Sequence, residues 1–136
     1  MRYPLFSSVL IVALLSSCRS ERPLGKVAGR VTFRGQPVRE GSVVFSDTVQ
    51  GLTFFSNLNA EGEFVFEVAR GYGLPPSTYK VSIQPPMPKA SLEYVAPDYS
   101  NKTYPDIPEI YRSEVTSGFT AVVNAGDNPP YVFDMK

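Results

Sequence analysis

Apolar and polar residues alternate in short runs along most of the chain, and turn residues separate the runs. Val27, Gly29, Val31 and Phe33 fall on one side of the first run, and Ala28, Arg30, Thr32 and Arg34 on the other. A period of two marks a half-buried strand and predicts one over residues 26–34. Arg34-Gly35-Gln36-Pro37 breaks the run, because Gly permits positive φ and Pro lacks a donor. A second strand is expected over residues 42–46, joined to the first by that tight polar turn. A third is expected over residues 52–58, with Leu52, Phe54 and Leu58 on one face and Phe55 as an exposed or edge aromatic. Asn59-Ala60-Glu61-Gly62 reads as a hairpin turn. The cleanest alternation follows over residues 63–69, with Phe64, Phe66 and Val68 inward and Glu63 and Glu67 outward.

After a loop at residues 70–77, residues 78–84 predict a fifth strand with Tyr79, Val81 and Ile83 inward. Residues 85–111 carry many prolines and tyrosines and no sustained period. Prolines remove ladder donors, so a central strand is not expected there, and a loop of such length is usually functional or mobile. The stretch 107–111 is expected to pin the loop's end onto the sandwich. A sixth strand over residues 117–124 presents Phe119, Ala121 and Val123, and a seventh over residues 131–135 presents Phe133 and Met135. About seven short strands with regular turn signals predict an all-β fold, a single β-sandwich.

Composition narrows the function classes. The 13 basic and 13 acidic side chains balance, whereas phosphate binding calls for a basic field, so nucleic acid is not an expected partner. Histidine, the commonest zinc or copper ligand, does not occur. A single cysteine, Cys18, permits no intramolecular disulfide. Packing and backbone pairing must therefore stabilise the fold.

Residues 1–17 read as an export signal. Arg2 gives a positive start, and residues 5–15 are mainly apolar. The run is short of the ~20 residues that span a bilayer and fits a signal-peptide h-region. It ends in Leu15-Ser16-Ser17-Cys18, which resembles a bacterial lipobox: a branched apolar residue, two small residues, then cysteine. The alternative is an ordinary cleaved signal that contains a cysteine. The resemblance implies that Cys18 is acylated through a thioether to diacylglycerol, carries fatty acid such as palmitate, and becomes the mature N-terminus. One acyl chain binds membranes marginally, whereas several anchor stably. Residues 18–25 are then a lipid-anchored tether and residues 26–136 the folded domain. The expected address is the cell envelope, membrane-attached through the N-terminal lipid. Residue 19 is Arg, not Asp, which in enteric bacteria favours the outer membrane.

Gly29, Val31, Phe33, Gly35, Pro37, Val38, Gly41, Val43 and Phe45, then Gly62 before Phe64 and Phe66, then Leu74-Pro75-Pro76-Ser77-Thr78-Tyr79-Lys80-Val81-Ser82-Ile83, resemble the carboxypeptidase regulatory-like or transthyretin-like domain. The ending, with Ile107-Pro108-Glu109-Ile110-Tyr111 and Tyr131-Val132-Phe133-Asp134-Met135, is similar to that of small bacterial lipoproteins carrying it. The resemblance implies an Ig-like, prealbumin-like Greek-key sandwich and a non-catalytic accessory module. Asn57 and Asn59 stand where the family often has Asp, and Ser77 where it often has Gly.

Candidate sites are few. Asn57-x-Asn59-x-Glu61-Gly62 faintly resembles a calcium loop, but calcium takes six or more oxygens, several from carboxylates. A hairpin turn held by Asn side chains accounts for it better. Tyr94, Tyr99, Tyr104 and Tyr111 sit in or at the end of the proline-rich loop, among Asp98, Asn101, Asp106 and Glu109. Their rings are expected to pack the loop onto the sandwich. They also suit a protein interface, where Tyr is enriched, or glycan stacking through Tyr94, Tyr99 and Tyr104. Tyr79 fits a corner tyrosine bonded to nearby backbone. No nucleophile motif is present, and nothing fixes a distance between Asp98, Asp106, Glu109 and Glu114 for acid–base work. The expectation is a non-enzymatic, cofactor-free and metal-free envelope module whose partner is an envelope protein or a glycan.

Overall fold

The computed structural model describes residues 22–68, 71–87 and 103–136. The fold is an all-β sandwich of two main sheets. Its strands are β1 (Ala28–Phe33), β2 (Gln36–Pro37), β3 (Ser42–Asp47), β4 (Leu52–Asn57), β5 (Glu63–Val65), β6 (Glu67–Val68), β7 (Gly71–Tyr72), β8 (Ser77–Gln84), β9 (Phe119–Val123) and β10 (Tyr131–Met135). A short 3-10 helix spans Glu109–Arg112. One sheet centres on β1, which pairs in parallel with β10 and antiparallel with β5 and, further along, with β2. The other runs β4-β3-β8-β9, antiparallel throughout. β6 and β7 form a small separate hairpin.

The expected hairpin between the first two long strands is corrected. β1 and β3 lie in different sheets. The polar turn closes only the short β1–β2 pairing, with Phe33 opposite Gln36 and Thr32 opposite Pro37. Arg34 takes a left-handed φ of 49° there, and its guanidinium lies over the Phe33 ring at 5.1 Å. Pro37 has no N–H to extend the ladder, so the chain leaves. Val38 is wholly buried, and Gly41 carries the crossing at φ 127°, where a Cβ would meet the Gln84 carbonyl oxygen at 2.6 Å. The expected fourth strand over residues 63–69 also divides. Phe66 donates its N–H to Val27 and accepts from Gly73, and the chain turns into the β6–β7 hairpin.

The inward faces match the alternation. Phe64, Phe66, Tyr79, Val81, Ile83, Ala121, Val123, Phe133 and Met135 are buried; the side chain of Val68 lies outside the described residues. Phe45 of β3 sits against the rings of Phe64, Phe66, Tyr79, Tyr131 and Phe133, with centroids 4.9 to 6.1 Å away. It joins one sheet to the other. Burying each such side chain contributes roughly 1.5–3 kcal/mol. Phe55 is 68% exposed, as its place in the alternation predicts. Leu24 and Gly25 belong to the folded part: Gly25 and Leu74 exchange backbone bonds of 2.8 Å, and Gly126 N–H donates to Leu24.

Candidate functional site

The end of the proline-rich region returns to the sandwich between residues 103 and 117. Ile107 is its anchor, fully buried in the core. The 3-10 helix follows, opened by Pro108, whose carbonyl accepts from Tyr111 N–H at 3.0 Å. Arg112 holds the bend from within: its Nε donates to the Ile107 carbonyl at 2.9 Å and a terminal nitrogen to that of Tyr104 at 3.3 Å. Gln84 at the end of β8 donates to the Arg112 carbonyl. Tyr111 stacks on Phe119 at 5.2 Å, and its hydroxyl accepts from Lys136 N–H at 3.2 Å. Thr116 closes the return by donating to the Ile110 carbonyl at 2.6 Å.

Pinned in this way, Tyr104, Pro105, Pro108, Glu109 and Arg112 border an open concavity of about 390 Å³. Tyr104 is half-buried and Glu109 exposed. The Arg112 guanidinium is turned to the Ile107 and Tyr104 carbonyls and keeps its positive charge, and exposed Glu109 adds a carboxylate to the same rim. Ring and proline surfaces beside one carboxylate suit contact with a polypeptide surface or another partly apolar group. The stretch 107–111 pins the loop's end, as the pattern predicts. Arg112 was not legible as its brace, because the carbonyls it binds lie five and eight residues upstream in a stretch without periodicity.

The Asn59 turn is structural. Asn59 Oδ1 accepts from Glu61 N–H at 3.0 Å and Glu63 N–H at 2.8 Å, and Gly62 takes φ 73°. The side-chain oxygen that a cation would need is already holding the turn. Glu63 is drawn below the usual carboxylate range, chiefly by Arg30 at 2.9 Å and then by Asn59. Among the described residues no group of His, Cys, Asp or Glu is placed to hold a metal ion. Tyr79 is the corner tyrosine: wholly buried, it donates its hydroxyl to the Pro75 carbonyl at 2.6 Å. Burial, and secondarily the Asp47 charge, pushes its phenol up to about 12. Asp47 is a buried acid that the pattern gave no reason to single out. It accepts from Ser77 Oγ and from the amides of Val49 and Gln50, and these donors hold its pKa below the ordinary value.

Cys18, Tyr94, Tyr99 and Asp98 lie outside the described residues. Of the tyrosines expected to contact a ligand, Tyr104 alone is placed, at the concavity. Asp106 is half-buried near it and Glu114 lies on the return to β9. No helix among the described residues is long and apolar enough to cross a membrane. No family model matches the chain, and neither a curated protein nor a solved structure does.

Proposed function

We propose that this chain is a non-catalytic lipoprotein of the bacterial cell envelope, anchored through Cys18, whose β-sandwich serves as a structural or protein-interaction module. The anchor rests on the Leu15–Cys18 pattern at the end of an apolar run. The module reading rests on one observation: buried Ile107 and the Arg112 brace hold an aromatic and proline surface open at the end of the sandwich. Tyrosine beside exposed polar groups is the composition of a protein contact. The all-β architecture supports the transthyretin-like resemblance at the level of fold class.

Two measurements on the full chain test this reading. Cys18→Ser is expected to move the protein from the membrane fraction to the soluble fraction, and detergent-dependent retention of the variant would sink the anchor. Cross-linking in intact cells is expected to recover one recurrent envelope protein, lost in a Tyr104→Ala, Glu109→Ala double variant that leaves Ile107 and Arg112 in place. Cross-links unchanged in that variant remove the concavity from the contact. Retention on glycan supports that falls with the same variant assigns it to sugar instead.

A further inference from the structure

The sandwich has lateral edges at β4, β9, β10 and, beside β1, at β5 and the two-residue β2, and their backbone groups are treated differently. Neighbours along a strand turn their N–H and C=O to opposite sides. Leu58 N–H donates to Gly41 at 2.9 Å, in register with the β3–β4 ladder. Leu52, Phe54 and Ser56 therefore face β3, and Thr53, Phe55 and Asn57 turn their donors and acceptors away from it. Among the described residues those outward groups have no hydrogen-bond partner. At β5, the same counting turns Glu63 and Val65 outward. Asn59 takes both backbone groups of Glu63, and Ser56 Oγ donates to the Val65 carbonyl at 2.6 Å. β9 turns Thr120 and Val122 outward: Tyr131 donates its hydroxyl to the Val122 carbonyl at 2.6 Å, Asn128 binds both the N–H and the C=O of Asn124 just past the strand, and among the described residues the Thr120 groups have no such cover. β10 carries Asp134 in its outward row, and Tyr111 takes the Lys136 amide beyond it.

Charge, proline and bulges are the usual protections of an open edge. Leu-Thr-Phe-Phe-Ser-Asn of β4 has no charge and no proline, and its register with β3 runs unbroken. We propose that β4 is an interaction edge that pairs antiparallel with β4 of a second copy of this chain, about a two-fold axis at Phe55. In that register Phe55 meets Phe55 and Thr53 meets Asn57, so each outward donor faces an acceptor and no like charges are opposed. The two-fold repeats the contact on both copies, as a closed symmetric interface requires. Phe55, 68% exposed, stands beside half-buried Val44 on the outer face. Pairing extends that Phe–Val row through both copies and covers the exposed ring.

The test uses the full chain in detergent. Cysteine is introduced singly at Thr53, Phe55, Asn57 or Val122, with the unmodified chain as the baseline for Cys18, and a short bismaleimide is added. Phe55→Cys is expected to give cross-linked dimers at least about tenfold above baseline. Thr53→Cys mixed with Asn57→Cys is expected to cross-link more than either alone, and Val122→Cys to stay at baseline. Sedimentation should show reversible dimers that Phe55→Lys weakens by about tenfold or more, since like charges directly opposite oppose pairing. Equal yields at 55 and 122, or association unchanged by Phe55→Lys, overturns the proposal. So does a monomeric chain whose Phe55→Cys variant links only to other proteins, because the occupant is then a foreign strand.

Discussion

The β4 edge and the β9 edge flank the same sheet, yet side chains bond to outward backbone only along β9, at the Val122 carbonyl and, just past the strand, at Asn124. On β9, side chains spend their polar atoms on the outward backbone: Tyr131 on Val122 and Asn128 on Asn124. On β4, Thr53, Phe55 and Asn57 present theirs without such cover. The difference arises in the connections. Residues 124–130 fold back beside the strand that precedes them, so Asn128 reaches Asn124 and also the Lys26 carbonyl at 3.1 Å. The β4–β5 turn uses Asn59 on its own far side, at Glu61 and Glu63. A turn can cap one flanking strand or the other, and here it caps β5.

Phe45→Ala would abolish the comparison by loosening both sides at once. The ring touches aromatic residues of both sheets, and it is fully buried. Truncating a buried Phe costs about 3–5 kcal/mol. Denaturant unfolding is expected to show that loss, against which a change below about 1 kcal/mol would mean that the core collapses around the gap.

Asn128→Ala would uncover the far end of the β9 edge. The amide loses its bonds to Asn124 and Lys26, at a cost of about 1–2 kcal/mol for hydrogen bonds at a half-exposed site. Cross-linking through Val122→Cys is expected to rise above baseline in this background. Tyr131→Phe should act in the same direction with a smaller effect, because the ring stays stacked with Phe133. Burial pushes the Tyr131 phenol up, away from a neutral range in which its hydroxyl is already protonated and a donor.

Inward residues were legible where burial imposes a period of two: on β9, Ala121 and Val123 are buried while Thr120 and Val122 are exposed. The exposure of Phe55 followed from the same count. Which strands pair was not legible. Nothing in Val27 to Phe45 distinguishes a hairpin from a crossing, and the decision lies in Pro37 ending a ladder and Gly41 fitting against Gln84. The partner of β10 is β1, the first long strand of the fold, a pairing that local pattern does not encode. For the same reason the caps were out of reach. Asn128 reads as a turn residue, and its role depends on where Lys26 and Asn124 end up. At the concavity the aromatic and proline content was visible, whereas Arg112 as its brace was not.

Acid should weaken both sides of the sandwich together. Asp47, beside the β3–β4 connection, is held below 3.8 by Ser77 and the Gln50 and Val49 amides. Asp134 on β10 is held below 3.8 by Thr32, then Gly35 and Lys136. A carboxylate whose folded pKa is depressed stabilises the fold above its unfolded pKa and loses that contribution as pH falls through the folded value. Stability is therefore expected to be flat on this account at neutral pH and to fall below about pH 4. Urea midpoints between pH 7 and pH 3 should show a shallower acid decline in Asp47→Asn and Asp134→Asn. A decline as steep as in the parent chain would place the acid sensitivity elsewhere.

Phe55→Lys should have the smallest effect on the fold itself, which makes it the cleanest probe of the open edge. The side chain points outward and removes little surface from water within one copy, so the monomer's stability should stay within about 0.5 kcal/mol. Amide exchange then separates the edge from the strand. In the dilute monomer, the Thr53, Phe55 and Asn57 amides point away from β3 and should exchange faster than those of Phe54 and Ser56. At high concentration the parent chain should protect the first group, and Phe55→Lys should not. Equal protection of both groups at every concentration would mean that the edge is already covered within one copy. The contrast with β9 would then reflect two different caps instead of one edge left open.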